Sequence, residues 1–140
     1  MALSGRHIIL GFAIATVAGA IVAGLMIVGS PGNERMRRLD DRRVRDLVDI
    51  TRAVNGYWTK HARLPSSLDE LLESPGTAVE SRDPLTGQPY SFGVLGMKTY
   101  ELCADFQRES SDINSDASSR FWSHGTGRRC FRLEAEETHR

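Results

Sequence analysis

The chain is poor in the residues from which most reactive sites are built. It has 2 cysteines and 4 histidines in 140 residues. None stands in a C-x-x-C, C-x-x-C-H or H-E-x-x-H arrangement, so zinc, c-type haem and zincin chemistry lack local ligand spacing. An excess of charge of one sign is missing as well. The 18 Lys+Arg balance the 18 Asp+Glu, which removes the broad basic footprint of a nucleic-acid binder. No paired carboxylates and no nucleophile beside a base are placed by sequence, so the chain reads as noncatalytic, with no small-molecule substrate. Aromatic residues make up only 7%. A soluble part of roughly a hundred residues with so few large apolar groups buries little and gains from a covalent staple.

Charge is wholly absent from one stretch. Residues Ile8 to Gly29 hold no Asp, Glu, Lys or Arg, and a helix of that length reaches about 33 Å, enough to cross a hydrocarbon core about 30 Å thick. Arg6 before the run and Ala18-Gly19-Ala20 within it have the form of a cleaved signal. The run nevertheless continues through Ile21, Val22, Leu25, Met26, Ile27 and Val28, past the roughly 7–15 residues of a signal core. A retained anchor follows: residues 1–7 as a cytoplasmic N-terminus and 8–29 as a transmembrane helix. Gly11, Ala15, Gly19 and Ala23 repeat every four residues, and small residues so spaced let a second helix approach closely in lipid. The expected partner is an integral membrane protein complex.

Ser30-Pro31-Gly32-Asn33 then predicts a break at the membrane edge, with Asn33 as N-cap and Glu34 in the first turn of the next helix. Val44, Leu47, Val48, Val54, Tyr57, Trp58 and His61, with Ile50 beside them, fall at helical spacing. Glu34/Arg38, Asp41/Arg45 and Arg42/Asp46 are opposite charges four apart, so the arginine-rich stretch reads as a solvated helix face. Its sharper reading has Arg35, Arg37, Arg38 and Arg42 meeting lipid headgroups or an acidic partner. Pro65 disfavours helix at Leu64 and is expected to end the element. Ser66 or Ser67 caps a short helix with Leu68, Leu71 and Leu72 inward, closed by Ser74-Pro75-Gly76. Turn chemistry at Asp83–Pro89 leads to alternation at Tyr90, Phe92 and Val94, then at Tyr100, Leu102, Ala104 and Phe106. Gln107 to Arg120 is a polar loop, and a strand from Arg129 to Leu133 completes a small antiparallel sheet. Residues 134–140 read as a frayed acidic tail.

In this order the chain resembles the pilin and pseudopilin family, in particular the major pseudopilin of type II secretion. The resemblance is carried by Asn55-Gly56-Tyr57-Trp58-Thr59-Lys60-His61-Ala62-Arg63-Leu64-Pro65, by Ser67-Leu68-Asp69-Glu70-Leu71, and by Asp83-Pro84-Leu85-Thr86-Gly87-Gln88-Pro89-Tyr90. It covers Arg35 to Phe106. It implies an α+β head at residues 34–133, a helix packed on an antiparallel sheet, held outside the cytoplasm of a bacterial inner membrane. The family's processing signature departs here: Gly11-Phe12 follows Ile8, Ile9 and Leu10, and Thr16 replaces the family's glutamate. A noncatalytic accessory subunit on a larger inner-membrane complex is therefore preferred over a polymerising pseudopilin.

Cys103 and Cys130 fall in strands of one small sheet. Bridged, they would add about 3–4 kcal/mol on the chain-entropy model; the alternative is two buried thiols. A bridge requires an oxidising compartment, whereas the arginines after the span place the C-terminal part in the cytoplasm by the positive-inside rule. The periplasmic side is favoured. Asp112, Asn114 and Asp116 open like a calcium loop, although Ala117 and Ser123 stand where the loop needs glycine and glutamate. Some major pseudopilins bind calcium in a late loop, so calcium is the one candidate cofactor and a calcium-responsive module a third reading. His124 reads as a turn residue, and Trp58 and Trp122 as core.

Overall fold

The computed structural model describes residues 5–28, 31–110 and 120–137. The chain divides into two compact units, Met1–Arg35 and Met36–Arg140. It is an α+β protein: an apolar N-terminal helix, two further helices and a three-stranded antiparallel sheet.

Helix α1 spans Gly5–Val28, beginning before the expected boundary at Ile8. Its window His7–Gly24 is long and apolar enough to cross a membrane. Residues 7–24 are all exposed, Ile9 at 73% and Phe12 at 74%. Its one hydroxyl is satisfied internally: Thr16 Oγ1 donates to the carbonyls of Phe12 (3.1 Å) and Ala13 (2.9 Å).

Helix α2 runs Pro31–His61. The expected linker at 30–33 and cap at Asn33 are corrected, because Pro31, Gly32 and Asn33 already lie in the helix. Proline suits a first turn, where its missing N–H has no intrahelical acceptor to serve. At the other end Ala62 takes a left-handed φ of 52° and donates its N–H to Trp58 O at 2.8 Å. This turn, not Pro65, stops the helix. Leu47, Ile50, Val54, Tyr57 and Trp58 are buried, Val44 and Val48 partly so, and His61 is exposed against the Tyr57 ring. Each fully buried aliphatic side chain contributes about 1.5–3 kcal/mol.

Helix α3, Leu68–Glu73, is capped by Ser67, whose hydroxyl accepts the Glu70 N–H, and buries Leu68 and Leu71. Strands β1 (Ser91–Val94), β2 (Thr99–Phe106) and β3 (Gly127–Glu134) lie in the order β1-β2-β3. On β2 the alternate residues Tyr100, Leu102, Ala104 and Phe106 are buried, with Phe92 and Phe131 opposite Leu102 on the two neighbours. Trp122, Tyr90 and Ala135 complete the core. The acidic tail is tied down at its start: Glu134 ends β3, Ala135 N–H donates to Lys98 O at 2.8 Å, and Glu136 N–H donates to Asn55 Oδ1 at 3.1 Å.

Candidate functional site

The most organised polar cluster in the head is centred on a residue of the arginine-rich stretch. Position 43 falls four, seven and eleven residues before Leu47, Ile50 and Val54, so helical geometry carries its guanidinium into the core. Arg43 is fully buried, which overturns the reading of the whole stretch as a solvated face. Its Nε and Nη2 grip both oxygens of Asp83, at 2.5 and 3.1 Å, and its Nη1 donates to Asp40 Oδ1 at 2.7 Å. This two-pronged geometry matches the planar fork of arginine and no other cation.

Each carboxylate has a second duty. Asp40 accepts the N–H groups of Gln107 at 3.0 Å and Arg108 at 2.9 Å, just past the end of β2. Asp83 Oδ1 accepts those of Leu85 and Thr86, both at 2.9 Å. The loop carrying Asp83 is closed by Asp83 N–H to Gln88 O and Gly87 N–H to Asp83 O, both 2.8 Å, with Gly87 at φ 69°. Burial acts to raise the Asp83 pKa, but Arg43 and the Thr86 and Leu85 amides outweigh it and hold it at about 2. One turn along α2, Tyr90 Oη donates to Asp46 Oδ2 at 2.8 Å. There desolvation dominates and keeps the Asp46 carboxyl above its usual range, against the Tyr90 hydrogen bond and Arg42. Asp40, Arg43 and Asp46 of α2, with Asp83, thus bolt the helix to the turn before β1 and to the residues just past β2, which lie at one end of the sheet. The arrangement positions elements; its atoms are all engaged with one another.

A second junction forms on Glu70. Its carboxylate receives Arg63 Nη2 at 2.5 Å, Tyr57 Oη at 2.6 Å, and the Ser66 N–H and hydroxyl at 2.6 Å each. Arg63 first, then Ser66 and Tyr57, push the Glu70 pKa far below the carboxylate range. This is a variant of the capping box, with the acid reaching one residue beyond the cap.

Cys103 and Cys130 are bonded, with Cα atoms 4.0 Å apart, directly opposite one another on β2 and β3. Cys103 is buried and Cys130 exposed. A Glu101 carboxylate oxygen lies within 4.8 Å of both sulfurs, but the bond consumes the thiolates a metal would need. Asp112, Asn114 and Asp116 lie outside the described residues. Arg35, Arg37, Arg38 and Arg42 are exposed on α2, as is Arg45, with Arg38, Arg42 and Arg45 on one flank at i, i+4 and i+7. Gly11, Ala15, Gly19 and Ala23 are exposed on α1. Trp58 and Trp122 are core, Trp58 beneath the Lys98 ammonium at 5.5 Å. His124 is buried, stacked on Phe106 at 3.6 Å between ring centroids.

A groove of about 440 Å³ separates α2 from the segment after α3, lined by residues including Asp49, Arg52, Gly56 and Lys60. Asp49 and Arg52 pair with each other, and Lys60 donates to Pro75 O, so no convergent set of polar groups faces it. No family model, curated protein or solved structure matches this chain.

Proposed function

We propose that this protein is a noncatalytic, single-pass accessory subunit of a larger inner-membrane complex, with a pilin-like head in the periplasm. The observation that carries the reading is α1: a helix apolar on every side, with its hydroxyl satisfied internally. The Gly11-Ala15-Gly19-Ala23 stripe supports packing of that helix against another. The Cys103–Cys130 bond supports an oxidising compartment, against the arginine count after the span. The element order, long helix, short helix, then antiparallel sheet, agrees with the pilin resemblance. Where the family's glutamate would stand, Thr16 has no charge to offer a neighbouring amino terminus, and this favours an accessory role over polymerisation. The exposed Arg35, Arg37, Arg38 and Arg42 follow the span closely in sequence and suit anionic headgroups or an acidic subunit face.

Native electrophoresis and mass spectrometry of a mild detergent extract test this reading. A stable larger species containing an integral membrane partner is expected, and a lone monomer would count against it. Polymerising pseudopilins instead require cleavage before Phe12, which the intact mass reports directly.

A further inference from the structure

The sheet stops at β3 although β3 is equipped for another neighbour. The 4.0 Å Cα separation at Cys103–Cys130 marks a non-hydrogen-bonded pair, and the Ala135 N–H to Lys98 O bond continues the ladder in the same phase. Gly127, Arg129, Phe131 and Leu133 therefore exchange bonds with β2. The N–H and C=O groups of Arg128, Cys130, Arg132 and Glu134 point away from it, and among the described residues none of them has a backbone partner. On the outer face β1 offers the uncharged Ser91 and Gly93 and β2 offers Glu101 and Asp105, while β3 sets Arg132 opposite Glu101, Arg128 opposite Asp105 and Glu134 opposite Thr99. Both arginines are exposed and hold no ion pair with a described residue. Opposite charges directly across a ladder stabilise it and like charges oppose it, so a strand added at this edge is favoured by carboxylates opposite Arg128 and Arg132.

We propose that the free edge of β3 takes an extended segment of another polypeptide as a fourth, antiparallel strand, with carboxylates four residues apart meeting Arg128 and Arg132. Main-chain bonds supply the affinity and the alternate side chains the choice of partner, as in strand addition generally. Strand β2 already displays the required spacing in Glu101 and Asp105. A second copy of β3 serves less well. Centred on Cys130 it sets Arg128 against Arg132, and centred on Phe131 it pairs each Arg128 with Glu134 but sets each Arg132 opposite Cys130, without a carboxylate.

The test uses the full-length protein in detergent and a fluorescein-labelled peptide copying residues 99–106 with C103S, beside its E101K/D105K counterpart. The acidic peptide is expected to bind about tenfold more tightly than the lysine peptide, with the preference reversed in R128E/R132E, since two ladder pairs change from attraction to repulsion. Hydrogen exchange at the amides of Arg128, Cys130, Arg132 and Glu134 slows on binding. Absence of saturable binding, a preference unmoved by R128E/R132E, or unchanged exchange at those four amides overturns the proposal. A doubled protein mass with those amides protected before peptide is added assigns the edge to a second copy and overturns it equally.

Discussion

Replacing Arg43 with methionine removes the one cation buried between Asp40 and Asp83 while keeping an apolar stem of similar length. The Arg43 side chain has 0% exposure, and its partners Asp40 and Asp83 have 5% and 10%. Breaking a buried pair from one side leaves the opposite charge uncompensated, at a cost of about 3–5 kcal/mol. In a domain of this size each kcal/mol moves the midpoint by about 4 °C or more, so R43M is expected to melt at least about 12 °C lower. Both tryptophans, Trp58 and Trp122, are buried in the head, so intrinsic fluorescence in detergent follows the head without interference from α1. The pH dependence sharpens the test. Asp83 is held at about 2 against an ordinary 3.8. Its stabilisation, about 2 kcal/mol, is therefore complete above the unfolded value and lost as pH falls from about 4 through 2. Asp46, shifted upward, works with the opposite sign, gaining stability as pH falls through its folded value. In R43M the Asp83 contribution vanishes or reverses, because an unpaired buried carboxylate titrates high. R43M/D83N, with one stranded charge removed, should recover part of the loss, giving a coupling of about 0.5–3 kcal/mol. An R43M midpoint within about 3 °C of wild type, with the acid limb unchanged, would refute the reasoning.

Four further outcomes follow from the other contacts of the head. C103S/C130S should lower head stability by about 3–4 kcal/mol in urea unfolding, from the loss of a cross-link between residues 27 apart; a midpoint that reductant does not move in the wild type would contradict this. Y90F strands the Asp46 carboxylate and should cost about 1–3 kcal/mol by the same assay, with the smaller loss at low pH, where Asp46 is neutral. S67A removes the α3 cap for about 1 kcal/mol. E70Q should flatten the acid limb further, since a depressed carboxylate stabilises above its unfolded pKa and ceases to as pH falls.

The legible parts of this chain were those written in period and run. The uncharged stretch gave the apolar helix α1, and Leu47, Ile50, Val54, Tyr57 and Trp58 gave the buried face of α2. The alternation of Tyr100, Leu102, Ala104 and Phe106 gave β2, and with it a strand that could carry Cys103 to Cys130. Arg43 was hidden because charge argues for solvent, and its partner Asp83 lies 40 residues away in a turn. Its signal was its place on the Leu47 face, where a long cation must either be paired or be displaced. The start of α2 was obscured because Pro, Gly and Asn are break signals as well as tolerated first-turn residues. The anchoring of Ala135 and Glu136 depends on Lys98 and Asn55, contacts that no local pattern announces.

The central claim, an anchored head held oxidised outside the cytoplasm, is tested most directly by labelling spheroplasts with an impermeant maleimide before and after an impermeant reductant. No tag is expected before reduction, and both Cys103 and Cys130 are expected to be tagged after it, with the cells still closed. Tagging that appears only on lysis, or that needs no reductant, would contradict it.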